Sequence, residues 1–333
     1  MSPTVISTFA GCGGSSLGYK WAGYDELLAV EWDEHAAETF KANFPEVPLY
    51  LGDIAKLSVG QVLERTGLAP GELDVFDGSP PCQGFSTAGR RKMLDPRNSL
   101  FEEYVRLLQG LQPRVFVMEN VSGMVKGKMK FIFVEILRAL KQAGYKVRAQ
   151  VLNAKYFGVP QNRKRMIFIG CREDLAIDPS FPAPETRPIP LKIALKNCPE
   201  GLNQGAFTGK RLELVRQIEP WGDGTLSGKR VRDFNLRRNH WDKPSRTIIA
   251  QVGGLSSWFG GGNVHPELHR HHTIGEIKRI MSFPDDFRLK GTFKDQWKLL
   301  GNSVTPPFME SISRHIRSHV LDMAPRSTKL AAA

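Results

Sequence analysis

The chain has 333 residues, of which 41% are hydrophobic, and carries a formal net charge of +12. That length predicts one large domain with a smaller appendage, and no run of about eighteen apolar residues offers a membrane span. The basic balance points to a polyanionic partner, an acidic surface or simple solubility, and excludes none of these by itself.

Val5-Ile6-Ser7-Thr8-Phe9 predicts a first strand, bounded by Gly11, Gly13 and Gly14, with a helix through Leu17–Trp21. Leu27–Val30 predicts a second strand ended by Glu31, and Glu34–Phe40 a helix. Leu73–Phe76 is strand-like and runs into Ser79-Pro80-Pro81-Cys82. Leu100–Leu111 reads as a helix, Val115–Met118 as a strand ended by Glu119, Phe131–Ala143 as a helix and Met166–Ile169 as a late strand. Such alternation predicts an α/β fold with a parallel, doubly wound sheet. Near Asp178 the texture changes. Prolines crowd together, and basic, aromatic and glycine-rich segments follow to about Arg270 without a clear period, which predicts a smaller irregular domain. Order returns at Ile274–Ile280, and Phe308–Val320 reads as a last helix.

Two regions carry chemistry. In the first, the Phe9–Gly14 turn precedes a helix whose amino terminus suits an anion, and Glu31 closes the next strand where a carboxylate commonly takes ribose hydroxyls. Trp32 is placed to stack on adenine, and Asp53 to accept from its amino group. An NAD-type site stays open on these residues, although Ser16 stands where the dinucleotide fingerprint has its last glycine. In the second region, the two prolines hold Cys82 at a strand's carboxyl end, where an α/β enzyme places a nucleophile. Glu119 ends a neighbouring strand. Alternation puts Gln161, Arg163 and Arg165 on one side, where the two arginines form either a solvated edge or, the favoured reading, an anion and carbonyl clamp. Basic clusters follow Cys82 (Arg90, Arg91, Lys92, Arg97), surround Lys164, and recur at Lys229, Arg230, Arg232, Arg237 and Arg238. Four scattered cysteines without metal-ligand spacing fit a reduced, cytosolic protein. His265, His269, His271 and His272 lack cysteine partners and are expected on a polar surface rather than at a metal. Trp258-Phe259 is expected to make a core contact. The start shows no secretion signal, and the end of the tail at 326–333 is expected to be vector-derived.

These residues together resemble the DNA cytosine-5 methyltransferases of bacterial or phage type, over nearly the whole length. Phe9–Gly13, Pro80–Cys82, Glu119–Val121, Gln161–Arg165, Pro244–Ile248 and Gly301–Pro307 occur in the family's order. The resemblance implies a Rossmann-like methyltransferase sheet with a smaller target-recognition domain. It divides the chain into a catalytic part at 1–178, a recognition domain at 179–273, a return to the catalytic domain at 274–325 and a tail at 326–333. It implies S-adenosylmethionine as cofactor, lined by Phe9, Gly11, Gly13, Glu31, Trp32, Asp53, Ile54, Pro80, Leu100, Asn302 and Val304. It implies catalysis by Cys82, Glu119, Arg163 and Arg165 on a cytosine flipped out of double-stranded DNA. A loop at Gln83–Ser99 would close over that base, and DNA contacts would come from Ser86, Arg90, Arg97, Arg237, Arg238 and Thr247. A metal-free monomer at the bacterial nucleoid, serving restriction-modification or epigenetic marking, is the implied setting. The alternative is a transfer-RNA methylase of the same fold, whose Cys-Phe-Thr triplet, and whose proline at the position of Gly84, this chain lacks.

Overall fold

Apolar runs ended by glycine or by a carboxylate build the sheet that positions the site. The computed structural model describes residues 2–81, 98–125, 129–222, 236–255 and 262–324. Cys82, Ser86, Arg90, Arg97, most of the expected closing loop, Lys229, Arg230, Arg232, Trp258-Phe259 and the tail lie outside the described residues. Two compact units emerge: Met1–Leu152, Lys164–Ala183 and Met309–Ala333 form the first, and Asn153–Arg163 with Pro184–Phe308 the second.

In chain order the first unit begins with β1 (Thr4–Thr8), α1 (Gly14–Trp21), β2 (Asp25–Glu31), α2 (Glu34–Asn43), β3 (Leu49–Leu51) and α3 (Val59–Thr66). It continues with β4 (Val75–Gly78), α4 (Asn98–Leu111), β5 (Val115–Val121), α5 (Met129–Gln142) and β6 (Tyr145–Asn153). The second unit contributes β7 (Gln161–Asn162), after which β8 (Lys164–Arg172) returns to the first. The sheet order is β3-β2-β1-β4-β5-β8-β6. Strands β1 to β5 pair in parallel, so their carboxyl ends share one edge. Strand β8 differs from the all-parallel expectation by running antiparallel to β5, with Val121 opposite Arg165. Its amino end therefore reaches the edge where the parallel strands finish.

Helix limits follow local chemistry. Asp33 caps α2 by accepting from the Ala36 amide, and Ser58 and Gln61 form a reciprocal capping box on α3, which stops at Gly67 in the left-handed region. The core beneath the edge is Ile6, Leu28, Val30, Phe76, Tyr104, Phe116, Met118 and Phe168. The last helix, α10 (Pro306–Ile316), meets the segment just before β2: the Ser313 carbonyl accepts from Tyr24 Oη at 2.9 Å.

Asp77 on β4 is buried with Tyr19 donating to it at 3.3 Å. Burial, reinforced by the Glu26 charge, pushes its carboxyl up to about 8. That lies above the unfolded value near 4, so the folded state keeps a proton that the unfolded chain releases. This contribution to stability is complete below about pH 4 and is lost as pH rises through 8. Asp77→Asn should therefore raise stability at pH 8.5 by on the order of 2–4 kcal/mol and by clearly less at pH 5. Urea melts at the two pH values check this; equal gains at both would reject it.

The second unit holds α6 (Leu191–Ala194), α7 (Gly209–Arg216), β9 (Leu236–Arg238), β10 (Ser245–Arg246), β11 (Gly262–Val264), α8 (Ile274–Ile280) and α9 (Phe293–Asn302). Its small core gathers Phe207, Leu214, Val215, Ile218, Leu236 and Val264. Its extent differs from the expected 179–273: it takes residues 153–163, where β7 pairs with β10 through Gln161 and Ser245, and it runs from 184 to 308, past the expected return at 274.

Candidate active site

The turn after β1 is held in an unusual shape. Phe9 adopts φ 56°, a left-handed conformation uncommon for a bulky residue. Gly13 has φ 94°, and a β-carbon there would lie 2.3 Å from the Phe44 ring, so only glycine fits. The N-cap of α1 is Gly13, which has no side chain to cap its amides. At the end of β2, Glu31 Oε2 accepts from the Gly11 amide at 2.7 Å, and Oε1 from the Trp32 and Asp33 amides at 2.8 and 2.9 Å. A carboxylate has about four acceptor positions, so about one remains open, on Oε2. Glu31 thus fixes the glycine turn, a role that reading the two segments separately did not show.

Trp32 is 74% exposed, an open aromatic face directly after Glu31. Asp53 is exposed after β3 and spends Oδ1 on the Ala55 amide at 3.0 Å. Ile54, in contrast, is buried in the core, and Leu100 packs against that core from α4. Pro80 is buried beyond β4. Register explains what holds it. Gly78 pairs with Met118, so two residues on Pro80 stands opposite Asn120, whose side-chain amide donates to the Pro80 carbonyl at 2.9 Å. Asn120 was visible in the sequence inside the Glu-Asn-Val triplet, but nothing local assigned it this hold on the proline loop.

Glu119 and Arg165 meet as the antiparallel register requires: Arg165 Nε lies 2.7 Å from Glu119 Oε1, and both side chains are nearly buried. In the second unit the Arg163 guanidinium donates to the carbonyls of Ile248, Gly301 and Ser303 at 3.0, 3.0 and 2.8 Å, and the residue is 2% exposed. Gln161, fully buried, accepts from the Ile248 amide. The expected common clamp is thereby corrected: alternation gave the spacing, while distant partners send Gln161 and Arg163 to one unit and Arg165 to the other. Asn302 ends α9 exposed and Val304 is buried, both in the second unit.

The basic candidates divide as well. On β9 the inward positions are Leu236 and Arg238, and Arg237 faces out. Arg238 is 4% exposed and donates to the carbonyls of Val215, Ile218 and His265, so the expected DNA contact is corrected to an internal brace. Thr247 is half-buried and donates to the Asn162 carbonyl at 2.7 Å. The histidines also depart from the polar surface: His265, His271 and His272 are buried. Burial lowers both His265 and His271 to about 3. Burial alone would raise Glu276, but Arg270 and His272 hold its carboxyl well below the usual carboxylate range. Among the described residues, no group of three or more His, Cys, Asp or Glu is placed to hold a metal, and no helix is long and apolar enough to cross a membrane.

The profile of the C-5 cytosine-specific DNA methylases matches residues 3–318. The chain belongs to this family. Among curated relatives, the type II methyltransferase M1.HphI of Haemophilus parahaemolyticus is 35% identical over 95% of this chain and 87% of its own length. M.NgoPII of Neisseria gonorrhoeae, also a type II methyltransferase, is 34% identical over 90% of this chain and 91% of its own. A solved structure described as a DNA modification methyltransferase of an Escherichia coli prophage aligns with TM-score 0.76 and 24% identity, covering 96% of this chain and 99% of that one. A Spodoptera frugiperda DNMT2 variant aligns with TM-score 0.68 and 20% identity over 93% and 98%. These likenesses show the Rossmann-like methyltransferase fold. The protein is a DNA cytosine-5 methyltransferase, and the transfer-RNA alternative is not favoured.

Proposed function

We propose that this methylase takes its methyl group from S-adenosylmethionine and transfers it to carbon 5 of a flipped-out cytosine through a transient bond to Cys82. The observation that carries the reading is the Glu119–Arg165 pair, set beside an Asn120-braced Pro80 that leads two residues later into Cys82. Cysteines elsewhere are poorly suited to attack. Cys12 is fully buried, and burial pushes the thiols of Cys171 and Cys198 up to about 12 and 11.

Cys82 adds to carbon 6 of the ring. Glu119 holds ring nitrogen 3 and the exocyclic amino group, which eases that addition, and Arg165 binds the ring carbonyl oxygen while orienting Glu119. Addition makes carbon 5 nucleophilic; once it is methylated, loss of its proton and expulsion of Cys82 restore the ring. A stacked base is out of reach of such an edge, so the cytosine leaves the duplex. Arg163 donates to three carbonyls of its own unit and braces that unit.

The residues after β1 to β3 fit the cofactor. Trp32 offers its open face to adenine, Glu31 its spare acceptor to the ribose, and Asp53 its second oxygen to the adenine amino group. When bound, S-adenosylmethionine supplies an electrophilic methyl group. Trp32→Ala should weaken its binding by roughly 1–3 kcal/mol, the scale for losing a large buried side chain. Calorimetry checks this, and an unchanged Kd would remove the stacking role. Ser86, Arg90, Arg97 and Thr247 remain the proposed backbone contacts.

The type II relatives support a place in restriction-modification; the proposed setting is a monomer on the bacterial nucleoid in the cytoplasm. Trapping tests the chemistry. A target duplex carrying 5-fluorocytosine lacks the proton whose loss frees Cys82, so incubation with S-adenosylmethionine should leave a covalent protein–DNA band. A duplex that is methylated or bound without ever being trapped would overturn the covalent route.

A further inference from the structure

Within the second unit, a pocket of about 170 Å³ is lined by Asn162, Trp221, Arg237, Arg246, Thr247 and Asn263, with Ile249 as an apolar wall. That space far exceeds one water, whose share is ~30 Å³. Among the described residues, no carboxylate lines it. Most of its polar groups are already committed. The Arg246 guanidinium lies over the Trp221 indole at 4.2 Å and donates to the Trp221 carbonyl. Lys243 approaches the same indole at 4.7 Å. Asn263 donates to the Arg246 carbonyl at 2.9 Å, Asn162 accepts from Asn153 at 2.8 Å, and the Thr247 hydroxyl donates to the Asn162 carbonyl. Arg237 differs from them. It is exposed on β9, and no hydrogen-bond or ion-pair partner of its side chain is found among the described residues.

The walls are also fixed from behind. Buried Asn239 accepts from the Arg246 amide at 3.0 Å and donates to Ser245 Oγ at 3.1 Å. Asn239 in turn meets His272 Nε2 at 2.9 Å, and His272 Nδ1 lies 3.0 Å from Glu276. On the other side, Leu236 and Arg238 pin β9 into the small core, so the backbone that carries Arg237 is anchored on both flanks. A long cation on a braced strand, beside an aromatic and an aliphatic wall, suits the edge of a base. A phosphate would ask instead for several converging N–H donors, whereas Arg246, Asn263 and Thr247 each already donate to a carbonyl.

We propose that this pocket reads a guanine of the recognition sequence, with Arg237 donating both N–H groups of its fork to guanine O6 and N7 in the major groove. The inference rests on the DNA methylase reading above. Such a bidentate pair discriminates the right base from the wrong one by roughly 10- to 100-fold.

The experiment uses the full chain and genomic DNA. Bisulfite sequencing after incubation with S-adenosylmethionine gives the consensus. Duplexes are then made in which each guanine of that consensus is replaced in turn by 7-deazaguanine, which lacks the N7 acceptor, or by adenine. For the wild type, one guanine position should lower kcat/KM by roughly 10- to 100-fold in both replacements. Arg237→Ala should lose that distinction while still methylating the same cytosine, and Arg237→Lys should keep only part of it, since an ammonium cannot reproduce the fork. Matching thermal melts of the two variants establish that both are folded. An Arg237→Ala protein that weakened on every duplex alike, with each base preference intact, would show a phosphate contact and overturn the proposal. So would unchanged rates and preferences. A wild-type chain that methylated no DNA would overturn the activity itself, a failure separate from a lost or retained guanine preference.

Discussion

Replacing Cys82 by alanine is expected to abolish methyl transfer while leaving binding to the target duplex measurable. Alanine removes the sulfur and little else, so phosphate and base contacts made elsewhere persist. Without addition to carbon 6, carbon 5 of a neutral cytosine is too weak a nucleophile to take a methyl group, and no buried thiol among the described residues replaces the lost one. The scaffold leading to this position should survive the change, because Pro80 is held through its carbonyl by Asn120 and the strand beneath by its pairing with β5. Incorporation of labelled methyl groups and gel retardation on the same duplex check both halves. Undiminished turnover would remove Cys82 as the nucleophile.

Glu119→Gln is the second large effect. The amide keeps the shape and one acceptor for Arg165 Nε, but it loses the charge that supports ring nitrogen 3 during addition. General acid–base assistance of this kind contributes ~10²–10⁴-fold, and single-turnover rates should fall by that much. Stability should fall as well, because the variant leaves the nearly buried Arg165 charge without its counter-ion. A rate loss below ~10-fold in a folded Glu119→Gln protein would reduce Glu119 to a bracket for Arg165.

Much of the first unit was legible because its signals are local. Val5–Thr8, Leu28–Val30 and Val115–Met118 are apolar runs that a buried sheet needs, and each ends at a residue type that marks the functional edge. Glu31, Trp32, Glu119 and Arg165 follow from that edge. What escaped depends on partners far along the chain. Nothing near Arg163 announces the carbonyls of Ile248, Gly301 and Ser303, and nothing near Arg238 announces Val215 or His265. Alternation tells which face a side chain takes, not which segment covers that face. Strand direction is equally non-local: the apolar run of β8 looks the same whether it runs with β5 or against it. The histidines were misplaced for the same reason, since His272 is buried by Asn239 and Glu276 rather than by an apolar run of its own.

The triple amide grip of Glu31 has a kinetic meaning. A turn already tied to the end of β2 has its loop-ordering entropy settled before any adenosine arrives, so association should be limited by diffusion and orientation instead of by refolding. In the proposed binding mode, residence time is then set mainly by the indole and the remaining hydroxyl bond, which would make product release a step that a single exposed tryptophan can tune.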